Sequence, residues 1–268
     1  MRAIRLTPAL RREYEDLFES CVIGKSHERS VERIVDKILA NEDRYRLVSD
    51  QSGVPWFFVA AVHSMESGRD FQTHLHNGDP LTARTVHKPK GRPEKGTPPF
   101  TWEESAQDAL AGHRLNEKTD WTLAGTLYQL ERYNGWGYRY HHPEVRSPYL
   151  WSFSNHYLRG KYVDDKTWSD SAVSKQCGAA VLLRRMAEHG MITFVDRPSP
   201  MEDEIPLVVR YSMSRSSDPE TVRKVKKLQR FLNTHPGIFL KVDGIPGDRT
   251  SDAYRKVTGA RLPGDPRG

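Results

Sequence analysis

The stretch Val54-Pro-Trp-Phe-Phe-Val-Ala-Ala-Val-His-Ser-Met-Glu-Ser-Gly68 decides the fold. Pro55 suits a first helical turn, and the residues from Trp56 to Val62 leave no polar face. A helix that is apolar all round is a buried one, so this segment predicts a central helix, with Gly68 as its C-terminal cap. Its last residues, Glu66-Ser67-Gly68, put a carboxyl group where the apolar helix opens onto a long polar segment. Around it, residues 8–20 and 27–48 carry apolar positions at helical spacing with charges between them, as do 102–114, 119–133 and 170–189. The expected class is mainly α, with surface helices covering one buried helix.

Two segments break the helical period. Residues 70–99 gather His, Gly, Pro and Thr over a length far beyond an ordinary connection, and a loop this long in a compact domain is usually functional. Residues 133–163 are rich in aromatic side chains. No repeat at a fixed period appears. Residues 193–220 mix prolines, an acidic cluster at 202–204 and serines, and read as a linker, with Ile205 to Tyr211 as a short strand that packs back. A small unit follows: a helix from Glu220 to Asn233 with Val222, Val225, Leu228 and Leu232 inward, a turn, and a second helix containing Ala253 and Val257. The predicted organisation is therefore a domain at 1–195, a linker at 196–215 and a small helical domain at 216–268.

The chain has 268 residues and a net charge of +6. That excess lies wholly in residues 219–268, where 11 Lys or Arg face 5 acids, and it suggests either contact with something anionic (nucleic acid, a membrane surface or a wall polymer) or a solvated helix face with no partner. The longest apolar run falls well short of the ~20 residues that span a bilayer, and the N-terminal residues lack the apolar stretch of an export signal. The expectation is a monomer made in the cytoplasm without membrane insertion. Cys21 and Cys177 read as buried thiols.

The chemistry begins at Glu66. A carboxyl beside apolar walls favours its neutral form, which lets a glutamate hold a proton for a leaving group near neutral pH. Ser67 and Gly68 would let a substrate come close. The aromatics Tyr133, Trp136, Tyr138, Tyr140, Tyr149, Trp151, Phe153 and Tyr157 are interleaved with Asn134, Arg139, Ser147 and Asn155. Aromatic planes with amides and guanidinium groups beside them suit sugar rings, although about half of these side chains belong to the core. Nucleic acid could also stack there, but this part of the chain has no surplus positive charge.

The strings HSMESGRDFQTHLHNGDPLTARTVHKPKGRP, LERYNGWGYR and SPYLWSFSNHYLRGKYV together resemble the phage-type lysozyme family of peptidoglycan hydrolases. More distantly, Glu66-Ser67 and Tyr133-Asn134-Gly135 resemble motifs of goose-type lysozymes and soluble lytic transglycosylases. Over residues 8–190 the resemblance implies a lysozyme-like helical fold cleaving the β-1,4 bond between N-acetylmuramic acid and N-acetylglucosamine. It implies Glu66 as general acid, with Tyr133 and Asn134 lining the cleft. In the tail, VKKLQRFLN and VDGIPGDRTSDAYRKVTG resemble a peptidoglycan-binding repeat, with Leu228, Gln229, Asp243, Gly244, Gly247 and Thr250 at its motif positions. Pro246 stands where that repeat usually has phenylalanine.

A glycosidase normally needs a second carboxylate. Asp79, 13 residues beyond Glu66, resembles the water-positioning aspartate of the goose-type enzymes and is favoured; Asp70 and Glu131 are the other candidates. A lone Glu66 would instead favour a lytic transglycosylase, in which the sugar's own 6-hydroxyl replaces water. His74 and His76, with Asp79, could hold zinc for a wall peptidase or amidase, against which stands the absence of a His-Glu-x-x-His helix. No Gly-x-Ser-x-Gly elbow and no phosphate-binding glycine loop is present, so nucleophilic serine chemistry and nucleotide chemistry are set aside, and no metal or other cofactor is expected. Peptidoglycan is the expected partner, met at the cell wall after release through a pore or within a virion or secretion machine, and a non-catalytic wall-binding protein remains the bland alternative.

Overall fold

A computed structural model describes residues 4–164, 167–195, 207–235 and 237–268. The described residues are mainly helical: α1 (Pro8–Glu19), α2 (Glu28–Leu39), α3 (Glu42–Ser52), α4 (Trp56–Glu66), α5 (Trp102–Gly112), α6 (Leu123–Asn134), α7 (Gly137–His141), α8 (Pro148–Trp151), α9 (Ala179–Glu188), α10 (Pro219–Leu232) and α11 (Asp248–Thr258). One antiparallel hairpin, β1 (Lys161–Asp164) with β2 (Thr167–Ser169), lies between α8 and α9. No helix among the described residues is long and apolar enough to cross a membrane. The chain divides into two compact units, Met1–Tyr14 with Val22–Arg185, and Glu15–Cys21 with Met186–Gly268. Residues 186–195 thus group with the C-terminal part.

In the first unit α4 is the buried axis the sequence predicts: every residue from Trp56 to Ser64 is buried, and α3 and α6 pack on it. Pro55 is the residue before its first turn, and Ser67 is the cap, with Gly68 following at φ +60°. The pattern over 27–48 breaks into α2 and α3. Asn41 turns out of the helix at φ −125°, and Glu42 and Asp43 place negative charge on the first turn of α3, where the helix dipole favours it. The expected helix at 170–189 starts only at Ala179. A Cβ at Gly178 would fall 2.3 Å from the Leu150 carbonyl oxygen, so the chain must pass this point backbone against backbone, and Val173 is exposed. The hairpin was not expected.

In the second unit α10 is capped by Asp218, whose carboxylate accepts from the Glu220 and Thr221 amides, and Pro219 occupies the first turn. Val225, Leu228 and Leu232 form a core with Val209, Ile238, Leu240, Ala253, Tyr254 and Leu262, and Val222 is buried beside it. Phe18 packs edge-on against Phe194 and Phe239. Of the expected linker, 196–206 lies outside the described residues, and so do Ile205 and Pro206 of the expected strand. Val209 packs into the core without forming a strand. Cys21 and Cys177 are buried and not joined in a disulfide.

Candidate active site

Glu66 is the last residue of α4, so the helix that fills the core also carries the carboxyl to its rim. Its Oε1 accepts a 2.9 Å hydrogen bond from the Tyr149 hydroxyl. Burial raises its pKa from 4.5 to about 7, against the Tyr149 bond, which favours the charged form. Tyr149 belongs to α8, whose place is fixed by the close approach of Gly178 to Leu150 and by the Gly178 amide donating to the Ser152 carbonyl. Tyr133, at the end of α6, is also near Glu66. Its hydroxyl is buried with no hydrogen-bond partner among the described residues, and burial followed by the Glu66 charge raises its pKa. Both phenols therefore stay neutral, and His113, stacked on Tyr133 at 3.8 Å, is held to about 4 by burial and is neutral as well. Among the described residues no cation ties Glu66 down as a carboxylate, so near neutral pH it can hold and give a proton.

A cleft of about 300 Å³ adjoins Glu66 through its chain neighbour Met65 and its partner Tyr149, and is lined also by Asn134, Tyr138, Lys161, Tyr162 and Gln176. Asn134 and Tyr149 both line it, whereas Tyr133, expected there with Asn134, is not among its lining residues. Lys161 and Tyr162, from β1, are additions that helical periodicity could not supply; the signal for them was a further lysine and tyrosine closing the aromatic segment. Gln176 donates to the Ser64 and Met65 carbonyls and so holds the end of α4. Ser67 lies in the chain reversal after Glu66 with its hydroxyl buried and, among the described residues, unbonded.

Other expected site residues have different work. Asp79 is buried, and both its oxygens are occupied within its own loop. Oδ2 accepts from the Val86 and His87 amides and from Asn77, and Oδ1 lies 2.5 Å from His87 Nδ1. Burial opposes its charge, but these bonds outweigh that and hold it at about 2. Its turn does touch the site: a Cβ at Gly78 would be 3.6 Å from the Glu66 carbonyl oxygen. Trp151 is 2% exposed and is a core residue rather than a cleft wall. Arg139 points into an internal network, bonded to Glu131 and Glu13 and lying over the Tyr14 ring, because a buried Glu131 needs a cation. Glu131 also accepts from the Tyr14 hydroxyl, and Asp70 caps its own turn through the Gln72 amide.

The histidine pair is likewise committed. His74 bridges Ser105 and the Ala83 carbonyl, and His76 pairs with Asp108. Among the described residues no group of three His, Cys, Asp or Glu is arranged to hold a metal ion.

In the second unit the motif residues form the scaffold itself. Gln229 is buried, its amide nitrogen reaching Asp243, the Ile245 carbonyl and Thr250, and its oxygen accepting from the Gly244 amide. Gly244 adopts φ +81° against Val222, Leu228 is core, and Gly247 precedes α11. These residues hold the turn: Leu228, Gln229, Gly244 and Thr250 are buried in it, and Asp243 and Gly247 are half-buried. A groove of about 540 Å³ is lined by exposed Arg215, Arg223 and Arg230 and by half-buried Lys226.

Compared with family models, curated proteins and solved structures, the chain matches none of them.

Proposed function

We propose that this protein cleaves the glycan strands of peptidoglycan at the β-1,4 bond between N-acetylmuramic acid and N-acetylglucosamine, with Glu66 as general acid. The observation that carries the reading is a carboxyl with a pKa of about 7, hydrogen-bonded to Tyr149, which lines an adjoining cleft of tyrosines and amides. A protonated glutamate beside a sugar-binding surface can protonate the glycosidic oxygen as the bond breaks. Tyr149 orients it, and Asn134 and Gln176 offer amides to sugar hydroxyls. The basic groove of the second unit supports a role as anchor on an anionic wall.

A specific observation favours the transglycosylase form of this reaction. No other carboxylate acts on Glu66 among the described residues, and Asp79 is fully engaged in its loop. The reaction would then close on the sugar's own 6-hydroxyl, with Glu66 first giving a proton to the leaving oxygen and then taking the one released by that hydroxyl.

The test is digestion of purified peptidoglycan by the wild type and by Glu66→Gln, each with and without EDTA, with products read by mass spectrometry. Anhydro-ended muropeptides from the wild type alone establish a transglycosylase, and reducing-end ones a hydrolase with Asp79 or another group holding water. Equal activity in Glu66→Gln, or peptides whose release stops with EDTA, overturns the glutamate mechanism.

A further inference from the structure

The first unit holds a second cavity, of about 440 Å³, which shares the lining residue Gln176 with the tyrosine cleft. Arg33 and Lys37, one turn apart on α2, line it together with Arg69 and Lys175. No carboxylate lines it, and none of these four cations forms an ion pair among the described residues. Arg69 follows Gly68, and both backbones are left-handed, at φ +71° and +60°. A non-glycine residue adopts that conformation at a cost, and here it brings a guanidinium to the wall of the cavity three residues after Glu66. The Arg69 Nε is buried and has no hydrogen-bond partner among the described residues. Buried donors without acceptors are uncommon, and an anion entering the cavity would supply one.

We propose that this cavity holds the carboxylate-bearing peptide branch of the polymer whose glycan lies in the Glu66 cleft. The assignment rests on the function proposed above. Gln176 lines both spaces, so the two adjoin at this residue and lie within reach of one branched polymer. Ile34 and Leu182 supply apolar wall for the aliphatic part of such a branch. A stacked nucleobase fits less well, because the one aromatic ring in the lining, Phe153, already has His27 stacked on it at 4.0 Å. The substrate class is therefore peptide-bearing peptidoglycan, distinguished from a bare glycan by its acidic branches.

The experiment has two arms. In the first, the free stem peptide L-Ala-γ-D-Glu-diaminopimelate is titrated calorimetrically into the wild type, into the double variant Arg33→Gln with Lys37→Gln, and, with its carboxylates amidated, into the wild type again. Arg33 and Lys37 are exposed on a helix, so their replacement leaves the core intact. Binding that weakens at least tenfold in the variant and is lost on amidation supports the assignment; no binding to the wild type, or equal binding to both proteins, overturns it. In the second arm, kcat/KM is measured on intact glycan strands and on strands stripped of peptide. The wild-type preference for intact strands is expected to fall about tenfold in the variant, mainly through KM; the same preference in both proteins overturns the assignment. Charge-dependent peptide binding by a protein that cleaves neither substrate would sink the glycosidase reading and leave the cavity assigned, so the two failures are distinguishable.

Discussion

The protonation of Glu66 gives a stability signature that can be read without any substrate. In the unfolded chain this carboxyl titrates at its ordinary value of 4.5, and in the folded protein at about 7. Below pH 4.5 it is protonated in both states. Between the two values the unfolded chain releases the proton while the folded protein keeps it, so stability falls as pH rises. Above pH 7 both states are ionised and the folded one carries the whole penalty, about 3 kcal/mol at 1.36 kcal/mol per pH unit. Glu66→Gln is neutral at every pH and still offers an oxygen to Tyr149, so it removes the penalty while keeping the bond. The variant should match the wild type at pH 4 and exceed it by about 3 kcal/mol at pH 8, or roughly 6–12 °C in Tm for a domain of this size. All six tryptophans lie between residues 56 and 168, so their fluorescence during heating reports the unit that contains Glu66. A difference between the two proteins that stays constant from pH 4 to 8, or that shrinks as pH rises, would refute the burial argument and with it the case for a proton held near neutrality.

Three further outcomes follow from the same contacts. Tyr149→Phe removes the bond that favours the ionised form, so the Glu66 pKa rises and the alkaline limb of the activity profile moves to higher pH; the pH dependence of kcat/KM reads this. Asp79→Ala leaves the Val86 and His87 amides without their acceptor and should cost about 2–3 kcal/mol at pH 7 by urea denaturation. Because the Asp79 pKa is depressed, that stabilisation is complete above pH 3.8 and is lost as pH falls through about 2. Gln229→Ala leaves the buried Gly244 amide without its acceptor and removes one donor each from Asp243 and Thr250, which keep their bonds to Ile245, at a cost of about 2–3 kcal/mol to the second unit, visible as faster proteolysis of that unit.

The residues whose placement could be read directly from the sequence are those whose burial leaves a periodic trace. The run from Trp56 to Val62 has no polar face and is fully buried, and Val222, Val225, Leu228 and Leu232 repeat at helical spacing and point inward. Glu66 could be singled out because it ends such a run. Trp151 and Arg139 could not be placed, since an aromatic or a guanidinium has the same letter whether it faces a sugar or a buried Glu131. Only the tertiary partner, 8 residues away for Arg139 and across the core for Tyr14, decides it. The hairpin strands were too short for a period-2 pattern to register, so Lys161 and Tyr162 went unassigned. In the tail, the spacing of the motif marks a turn, and those residues are spent on building it.

The approach of Gly178 to Leu150 changes what a mutational scan of this protein would reveal. Gly178 has no group that could touch a glycan or move a proton, yet any side chain there would displace the segment carrying Tyr149, and with it the hydroxyl that steadies Glu66. In a saturation screen scored on peptidoglycan cleavage, the proposed activity, it should rank among the least replaceable positions, beside Glu66 itself. Intolerance would then mark a hinge of geometry as strongly as a centre of chemistry, and only the pH profile of a surviving variant would tell the two apart.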